Sequence, residues 1–446
     1  MERYIRKKEI KIKYPEFAYS FILTSLLCIL GSGSNTFSFI LLLGFIPLIF
    51  KPEFLIGPLF FSSIWSGYLL VSGGQSLARY LTFFFIFGVL VKAIQRKSKI
   101  RVDFWFTTTV VAILLGLVLS LYGSFGYTSL PVSYVLNLLL FIVAIYCPIS
   151  SRKLLTNQLW SFSVLSVFYA LWFMLRNGLD AFDEGKLGVL EEGVNSNSIA
   201  KGICVLAVVV LAHFLINNLK GKLIHIALIL VSVFMLFLTG SRTSLVAFII
   251  TAIICILYWM RLNSKKIGWT VVILGVSLIG FYFVYDLLLD ALPDLMSRFT
   301  LEDTLSDGGS GRVDVWKAYF ENYFPTYWLF GMGFDPLNLF HAIEQVNGIG
   351  HGAHNIFVDI LASAGVVGLL LYMSMFVKGY KESRVLIKND VSVLIPFAML
   401  TACLAVGIGE NVLRGRLVWF ALAIILMYRQ VDADKKNALD EQQEEK

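Results

Sequence analysis

Fourteen apolar runs punctuate this chain, at about 17–31, 35–50, 54–72, 77–93, 104–123, 131–149, 158–176, 199–217, 222–239, 244–260, 267–289, 357–377, 391–409 and 416–428. Of its 446 residues, 57% are hydrophobic and only 15% charged, where a soluble domain carries about 25% charged residues. An apolar excess of this size cannot be hidden inside a water-bathed globule, which excludes soluble enzymes and nucleic-acid binders. A hydrocarbon core about 30 Å thick takes about 20 residues per helical span, and open sheet edges cannot be satisfied in lipid. The pattern therefore predicts an all-α polytopic membrane protein. The runs at 17–31 and 416–428 are short for a span, so the expected count is about 14 transmembrane helices, within a range of about 12–14. Residues 1–430 should form one polytopic membrane domain, followed by a Gln/Glu/Lys-rich tail over 431–446 that reads as a disordered cytoplasmic segment.

The formal net charge of +7 matters here through its placement. With the N-terminus placed in the cytoplasm, alternate connections collect 27 of the 37 basic residues on the inner side. This agreement holds at every loop and predicts both termini inside. The first run follows a basic stretch and ends in Gly31-Ser32-Gly33-Ser34, which reads as a retained signal-anchor. The five cysteines, at 28, 147, 204, 255 and 403, lie in or at the ends of apolar runs without metal-like spacing. They read as buried, inert thiols.

Two outer segments are longer than simple connections. The acidic stretch 177–198 holds Asp180, Asp183, Glu184, Glu191 and Glu192; the other runs over 290–355 and contains an amphipathic helical pattern, Val313-Asp-Val-Trp316-Lys-Ala-Tyr319-Phe320. That second segment is expected to be folded and seated on the membrane surface. The ten outer basic residues are Arg79, Arg176, Lys186, Lys201, Arg242, Arg298, Arg312, Lys317, Arg414 and Arg416, mostly arginines where the inner side is mostly lysine. Guanidinium forks bind phosphate oxygens in pairs, so the arginines point either to a phosphate-bearing ligand or to pairing with outer carboxylates. Arg242 lies in the turn Thr239-Gly240-Ser241-Arg242-Thr243-Ser244, beside the positive end of the next helix. A cation is disfavoured there unless an anion joins it.

His351-Gly-Ala-His354-Asn355 ends the long outer segment and opens the span 357–377. A histidine at such a helix start suits general-base work, because imidazole titrates near neutral pH. Metal binding by the histidine pair would lack a cysteine and has few carboxylates nearby. Glu410 and Asp359 can orient a base, bind sugar hydroxyls, or pair with Arg414 or Arg416. His213 and His225 read as packing residues near inner span ends. No Walker A sequence occurs, and Gly331-Met-Gly333 lacks the third glycine of a dinucleotide loop. The ionisable groups lie near span ends, unlike those of a transporter with charged or broken helices at mid-membrane.

Several motifs occur in a fixed order: Asn195-Ser-Asn197-Ser-Ile-Ala200, the Thr239–Ser244 turn, Gly311-Arg312 followed by Trp316, Leu329-Phe-Gly331-Met-Gly333, and His354-Asn355-Ile-Phe-Val-Asp359 running on to Gly365 and Gly368. Together they resemble the O-antigen ligase and O-antigen polymerase superfamily of bacterial polysaccharide assembly, over about residues 190–380; the first motif has Ser196 where that family commonly has proline. The resemblance implies a GT-C-like helical membrane fold and an inverting, metal-independent glycosyl transfer without a cofactor. The site would lie at the outer face of the bacterial inner membrane, and the donor would be an oligosaccharide on undecaprenyl diphosphate. By motif, Arg242 and Arg312 would bind the donor diphosphate, with Arg298 a weaker third, and His354 would deprotonate the acceptor hydroxyl. Asn197, Asn355, Glu410 and Arg414 are the candidates for orienting the acceptor and the base. A polymerase would transfer the growing chain to the next lipid-linked repeat unit, with a chain-length regulator as partner; a ligase would transfer it to lipid A-core or another acceptor. A polysaccharide-lipid flippase would also show outer arginines but would have no use for His354.

Overall fold

The computed structural model describes residues 14–30, 35–66, 69–71, 75–98, 102–128, 132–149, 151–177, 182–183, 186–187, 196–217, 222–262 and 311–444. Helices dominate: α1 (Pro15–Leu30), α2 (Asn35–Leu43), α3 (Ile56–Ile64), α4 (Leu77–Gln95), α5 (Phe104–Ser120), α6 (Val132–Ala144), α7 (Arg152–Asn177), α8 (Ser196–Ile216), α9 (Lys222–Leu238) and α10 (Arg242–Leu262) come first. Then follow α11 (Arg312–Asn322), α12 (Phe324–Tyr327), α13 (Pro336–Asn347), α14 (Ile356–Asn389), α15 (Leu394–Gly407) and α16 (Arg416–Glu444). Two antiparallel pairs of two-residue strands, Leu70–Val71 with Gln75–Ser76 and Phe182–Asp183 with Lys186–Leu187, are the only strands among the described residues.

Five helices are long and apolar enough to cross a membrane: Leu77–Gln95, Arg152–Arg176, Asn197–Ile216, Arg242–Leu262 and Ile356–Asn389. Shorter apolar helices occupy most of the other runs, which makes this a polytopic helical membrane protein. The run 267–289 lies outside the described residues. The C-terminal residues, expected to be disordered from Val431, instead continue α16 through Glu444. Their Ala, Leu, Lys, Glu and Gln content explains this, since these are strong helix formers.

Sequence pattern decides where each helix sits. Helix α8 is apolar on every side, and a helix of that kind belongs in the interior. It packs against α3, α7, α9, α10 and α15, with Ile203 through Val210 fully buried. Helix α10 buries a stripe of smaller and aromatic residues, Ser244, Ala247, Thr251, Cys255 and Trp259. It turns Val246, Ile249, Ile250, Ile253 and Leu257 outward. That is the arrangement of a lipid-facing helix, where packing rather than hydrophobicity drives association.

Polar clamps tie one face of the bundle together. Asp103 caps α5 by accepting from the Phe106 amide and also pairs with Arg429 of α16 at 3.0 Å, which reaches Glu382 of α14 at 3.1 Å. Nearby, Arg152 is 7% exposed and pairs with Asp390 at 2.9 Å while donating to the Tyr428 carbonyl. The last turns of helix α14 lie on this face too, carrying Lys378, Lys381, Arg384 and Lys388 and burying Ser383, Leu386 and Ile387.

At the opposite end α14 is interrupted. Gly365 takes φ 63° and ψ −162° within the run of helix, and the stretch 328–332 fills the gap. The Val366 amide donates to the Trp328 carbonyl at 2.8 Å, Val367 donates to Leu329, and Met332 donates to Ala362. On the other side of this stretch, the Ser124 amide donates to the Met332 carbonyl and Phe334 donates to Leu119 at the end of α5. The broken helix was not expected from the sequence. It is permissible at membrane depth because protein backbone satisfies the freed groups. Helices α11 to α13 complete the outer segment around a small core of Val315, Tyr319, Met332, Leu339 and Ile343 joined to Val358 and Leu361 of α14. The helix at Arg312–Asn322 matches the amphipathic pattern read from sequence.

Two outcomes follow. Gly365→Ala places a Cβ 2.2 Å from the Leu329 carbonyl oxygen at a positive φ; strain of at least about 1–2 kcal/mol plus that clash should lower the thermal midpoint of the purified protein by several degrees. For Asp390, burial pushes the carboxyl up, but hydrogen bonds from Ser392 and Arg152 outweigh it and hold the group below the usual carboxylate range. The stabilisation is thus complete at neutral pH and fades as pH falls through that range. Asp390→Asn should lower the melting temperature at pH 7, with the gap to the parent closing below about pH 4, as read by thermal unfolding across pH.

Candidate functional site

The face opposite the Arg152 and Arg429 clamps gathers the starts of α4, α6, α8, α10, α14 and α16. Side-chain contacts knit these ends together. Arg79 donates to Ser133 at 2.8 Å, Lys201 to the Asn411 carbonyl at 3.2 Å, and Asn137 to the Arg414 carbonyl at 3.2 Å.

Glu410 sits at the centre, in the turn between α15 and α16. Its carboxylate takes the Arg312 guanidinium on one oxygen at 3.2 Å and faces His354 Nδ1 from the other at 3.5 Å. Arg312 also donates from Nη1 to the Thr243 hydroxyl at 3.1 Å. Arg312 and His354, distant in the chain, thus meet at one carboxylate, and Arg312 links the Thr239–Ser244 turn to it through Thr243. Exposure is graded across them. The Glu410 side chain is 5% exposed, Arg312 21% and His354 36%. The organising charge is shielded while the two groups it holds remain reachable.

Local chemistry explains each placement. Asn355 caps α14, accepting from the Phe357 and Val358 amides, and its Nδ2 donates to the Ile408 carbonyl at 2.8 Å. That side chain fixes the start of α14 against the turn carrying Glu410, so Asn355 positions the pair. Trp316 donates to the Ala353 carbonyl at 2.8 Å, holding the segment just before His354. His354 itself adopts φ 44°, a left-handed conformation that costs a non-glycine residue energy and recurs at functional sites. Arg312 opens α11 and Arg242 opens α10, so two arginines occupy the positive ends of helices. For Arg312, the Glu410 carboxylate at 3.2 Å offsets that placement. Arg312 uses two of its five N–H donors on Thr243 and Glu410, leaving the others for a ligand.

Gly409 was not singled out from the sequence. A Cβ there would lie 2.5 Å from the Thr243 methyl and 3.0 Å from Arg312 Nη1, so glycine is what lets the Glu410 turn approach the arginine. The signal was a Gly-Glu-Asn run closing an apolar span.

The other candidates make contacts of their own. Arg414 contacts the second carboxylate, Asp359, at 3.7 Å, and its Nη2 donates to the Phe334 carbonyl and the Ser363 hydroxyl at 3.0 Å. It ties the broken part of α14 to the outer segment. Asn197 lies partly buried in the first turn of α8, four residues before Lys201. Arg242 is partly buried beside Thr243, next to the Arg312 contact. Arg298 lies outside the described residues, as do residues 290–310 and most of the acidic stretch 177–198. His351 is exposed, and His341 stacks on Tyr127 and pairs with Glu344. His213 and His225 pair at 3.0 Å and stack on Trp160, a packing role as read from sequence. Among the described residues, no three His, Cys, Asp or Glu side chains converge.

The arrangement can place an imidazole whose Nδ1 faces a carboxylate, leaving Nε2 to accept a proton, beside a guanidinium suited to an oxyanion. Glu410→Gln preserves shape and the hydrogen bond to Arg312 but removes the charge that orients His354. It should keep the thermal midpoint of the purified protein within a few degrees of the parent, read by thermal unfolding.

No curated protein and no solved structure matches the chain. Residues 226–373 match the family model described as O-antigen ligase. That match covers less than half of the chain; it takes in Arg242, Arg312 and His354 and ends before Glu410, so over those residues the chain is similar to the O-antigen ligase family.

Proposed function

We propose that the protein is a polysaccharide polymerase of the bacterial inner membrane, with both termini in the cytoplasm, about 14 spans and its site on the outer face. The donor is a growing glycan on undecaprenyl diphosphate, and the acceptor is a sugar hydroxyl of another lipid-linked repeat unit. The observation that carries this reading is the Glu410 carboxylate shared by Arg312 and His354.

In the proposed step, His354 Nε2 takes the proton of the acceptor hydroxyl as its oxygen attacks the anomeric carbon of the donor. The new glycosidic C–O bond forms on the face opposite the departing one, so the configuration inverts. The bond from the anomeric carbon to the phosphate oxygen breaks, and lipid diphosphate leaves with the electron pair. Diphosphate is a good leaving group that needs charge stabilisation more than a proton. Arg312, with Arg242 beside Thr243, supplies that stabilisation, commonly a few kcal/mol per donor. The acceptor hydroxyl is a poor nucleophile, and a base within reach is worth about 10²–10⁴-fold. Glu410 holds the Nδ1–H tautomer and stabilises the imidazolium that forms. Neither Asn197 nor Arg414 is given a part in the bond-making step; both support the surrounding helix ends.

The description of the matching family model, O-antigen ligase, favours a second reading in which the acceptor is lipid A-core or another molecule. Both readings use the same donor chemistry and differ only in acceptor. A flippase would have no use for a base held by a buried carboxylate.

Purified protein incubated with lipid-linked repeat units alone should produce a glycan ladder, in the presence of EDTA as in its absence. A ladder that appears only after lipid A-core is added would replace the polymerase with the ligase. His354→Ala should abolish transfer, and Arg312→Lys should reduce it severely because a point charge cannot replace a bidentate fork. Full activity in either variant would remove the corresponding role.

A further inference from the structure

A second cluster of cations lies one residue along from Glu410. Between the end of α3, the first turns of α8 and the α15–α16 turn lies a cavity of about 130 Å³, far above the roughly 10–15 Å³ that one water needs. Lys201 and Arg416 line it, with Asn411 and the hydroxyl-bearing Ser63, Ser66 and Ser198. No aspartate or glutamate is among its described lining residues. Arg416 Nε is buried without a hydrogen-bond partner among the described residues, and so is Asn411 Oδ1. Arg79 adds a third cation that acts on Arg416. The carboxylate that acts on Lys201 is Glu410, which Arg312 and His354 already share. Arg416 is also the first residue of α16, so unsatisfied backbone amides add positive potential at the same place.

Cations gathered in a buried cavity that is partly walled by Val205, Val406 and Leu417, without a carboxylate of their own, are costly unless an anion enters. The donor set is suited to a phosphate: a guanidinium fork, an ammonium and hydroxyls, with one amide oxygen to take a sugar hydroxyl. We propose that this cavity is a second phosphate subsite, which holds the phosphate of the acceptor's lipid carrier while the Arg312 side holds the donor's. The assignment rests on the polymerase reading for the identity of the ligand, because a polymerase brings together two lipid-linked diphosphates. The two anion sites share the Gly409-Glu410-Asn411 turn: the Glu410 side chain serves the first, and the Asn411 carbonyl anchors Lys201 of the second. One short turn therefore sets the spacing between donor and acceptor.

The test is equilibrium binding of radiolabelled farnesyl diphosphate to the full chain in uncharged phosphatidylcholine nanodiscs. The parent protein should bind two molecules per chain. Lys201→Gln combined with Arg416→Gln should lose one site and keep the other, whereas Arg312→Gln should lose the opposite one. Should the double variant fail to fold, Arg416→Lys retains the charge without the fork and should weaken one site by about tenfold or more. A single site in the parent, or two unchanged sites in these cavity variants, would overturn the second subsite and leave the donor reading intact. Two sites retained in Arg312→Gln would instead count against the donor reading alone. Inorganic pyrophosphate should displace the cavity-bound label only weakly; displacement at equal concentration would make the cavity a free-anion site and remove the lipid carrier from it.

Discussion

A single buried carboxylate organises the face of this protein where the starts of α8, α10, α14 and α16 meet. Removing Glu410 from water is costly, and the cost is tolerable only with cationic or hydrogen-bonding partners at close range. Arg312 and His354 are those partners, and each reaches it from a different element. The carboxylate therefore does more than neutralise an arginine. It draws α11, the start of α14 and the α15–α16 turn to one point, and through the Arg312–Thr243 hydrogen bond it adds the start of α10. The supporting contacts from Asn355, Trp316 and Lys201 are all to backbone carbonyls, so the geometry is set by main chain as much as by side chains.

The broken helix α14 gives the outer segment its foundation. A connection resting only on the membrane surface would move relative to the bundle. Here residues 328–334 enter the bundle and replace the hydrogen bonds that Gly365 interrupts. Irregular backbone at this depth is found in transporters as well, so the break alone does not discriminate between transport and catalysis. The proposed reading rests instead on the imidazole held against a shielded carboxylate, an arrangement suited to proton transfer.

Much of this was legible in the sequence. Apolar runs located nearly all the described helices, because hydropathy is dictated by the bilayer and needs no tertiary information. The alternating placement of Lys and Arg matches the two faces on which the helix ends cluster. Arg242, Arg312 and His354 were identifiable from short ordered motifs, and three-dimensional packing brings Thr243, beside Arg242, together with Arg312 and His354 around Glu410. Glu410 could be named, but whether it faced Arg312, Arg414 or Arg416 depends on how distant helix ends pack, which no local pattern encodes. Gly365 looked like one glycine among many in apolar runs, since its positive φ becomes a requirement only once Leu329 packs against it. Gly409 stayed unnoticed for the same reason. Arg414 was named for its position near a span end, and its Nη2 bonds to Phe334 and Ser363 depend on packing that no local pattern encodes. The helical tail shows local propensity prevailing where charge composition suggested disorder.

The central claim, that Glu410 aims one imidazole and one guanidinium at a lipid-linked diphosphate sugar, is tested most directly by a cryo-EM structure with a non-transferable phosphonate analogue of that donor bound. The account predicts the analogue's phosphorus groups within hydrogen-bonding reach of Arg312, and His354 Nε2 facing the side of the anomeric carbon opposite the phosphonate. An analogue seated away from Arg312, or with its anomeric carbon out of reach of any hydroxyl that His354 could deprotonate, would contradict it.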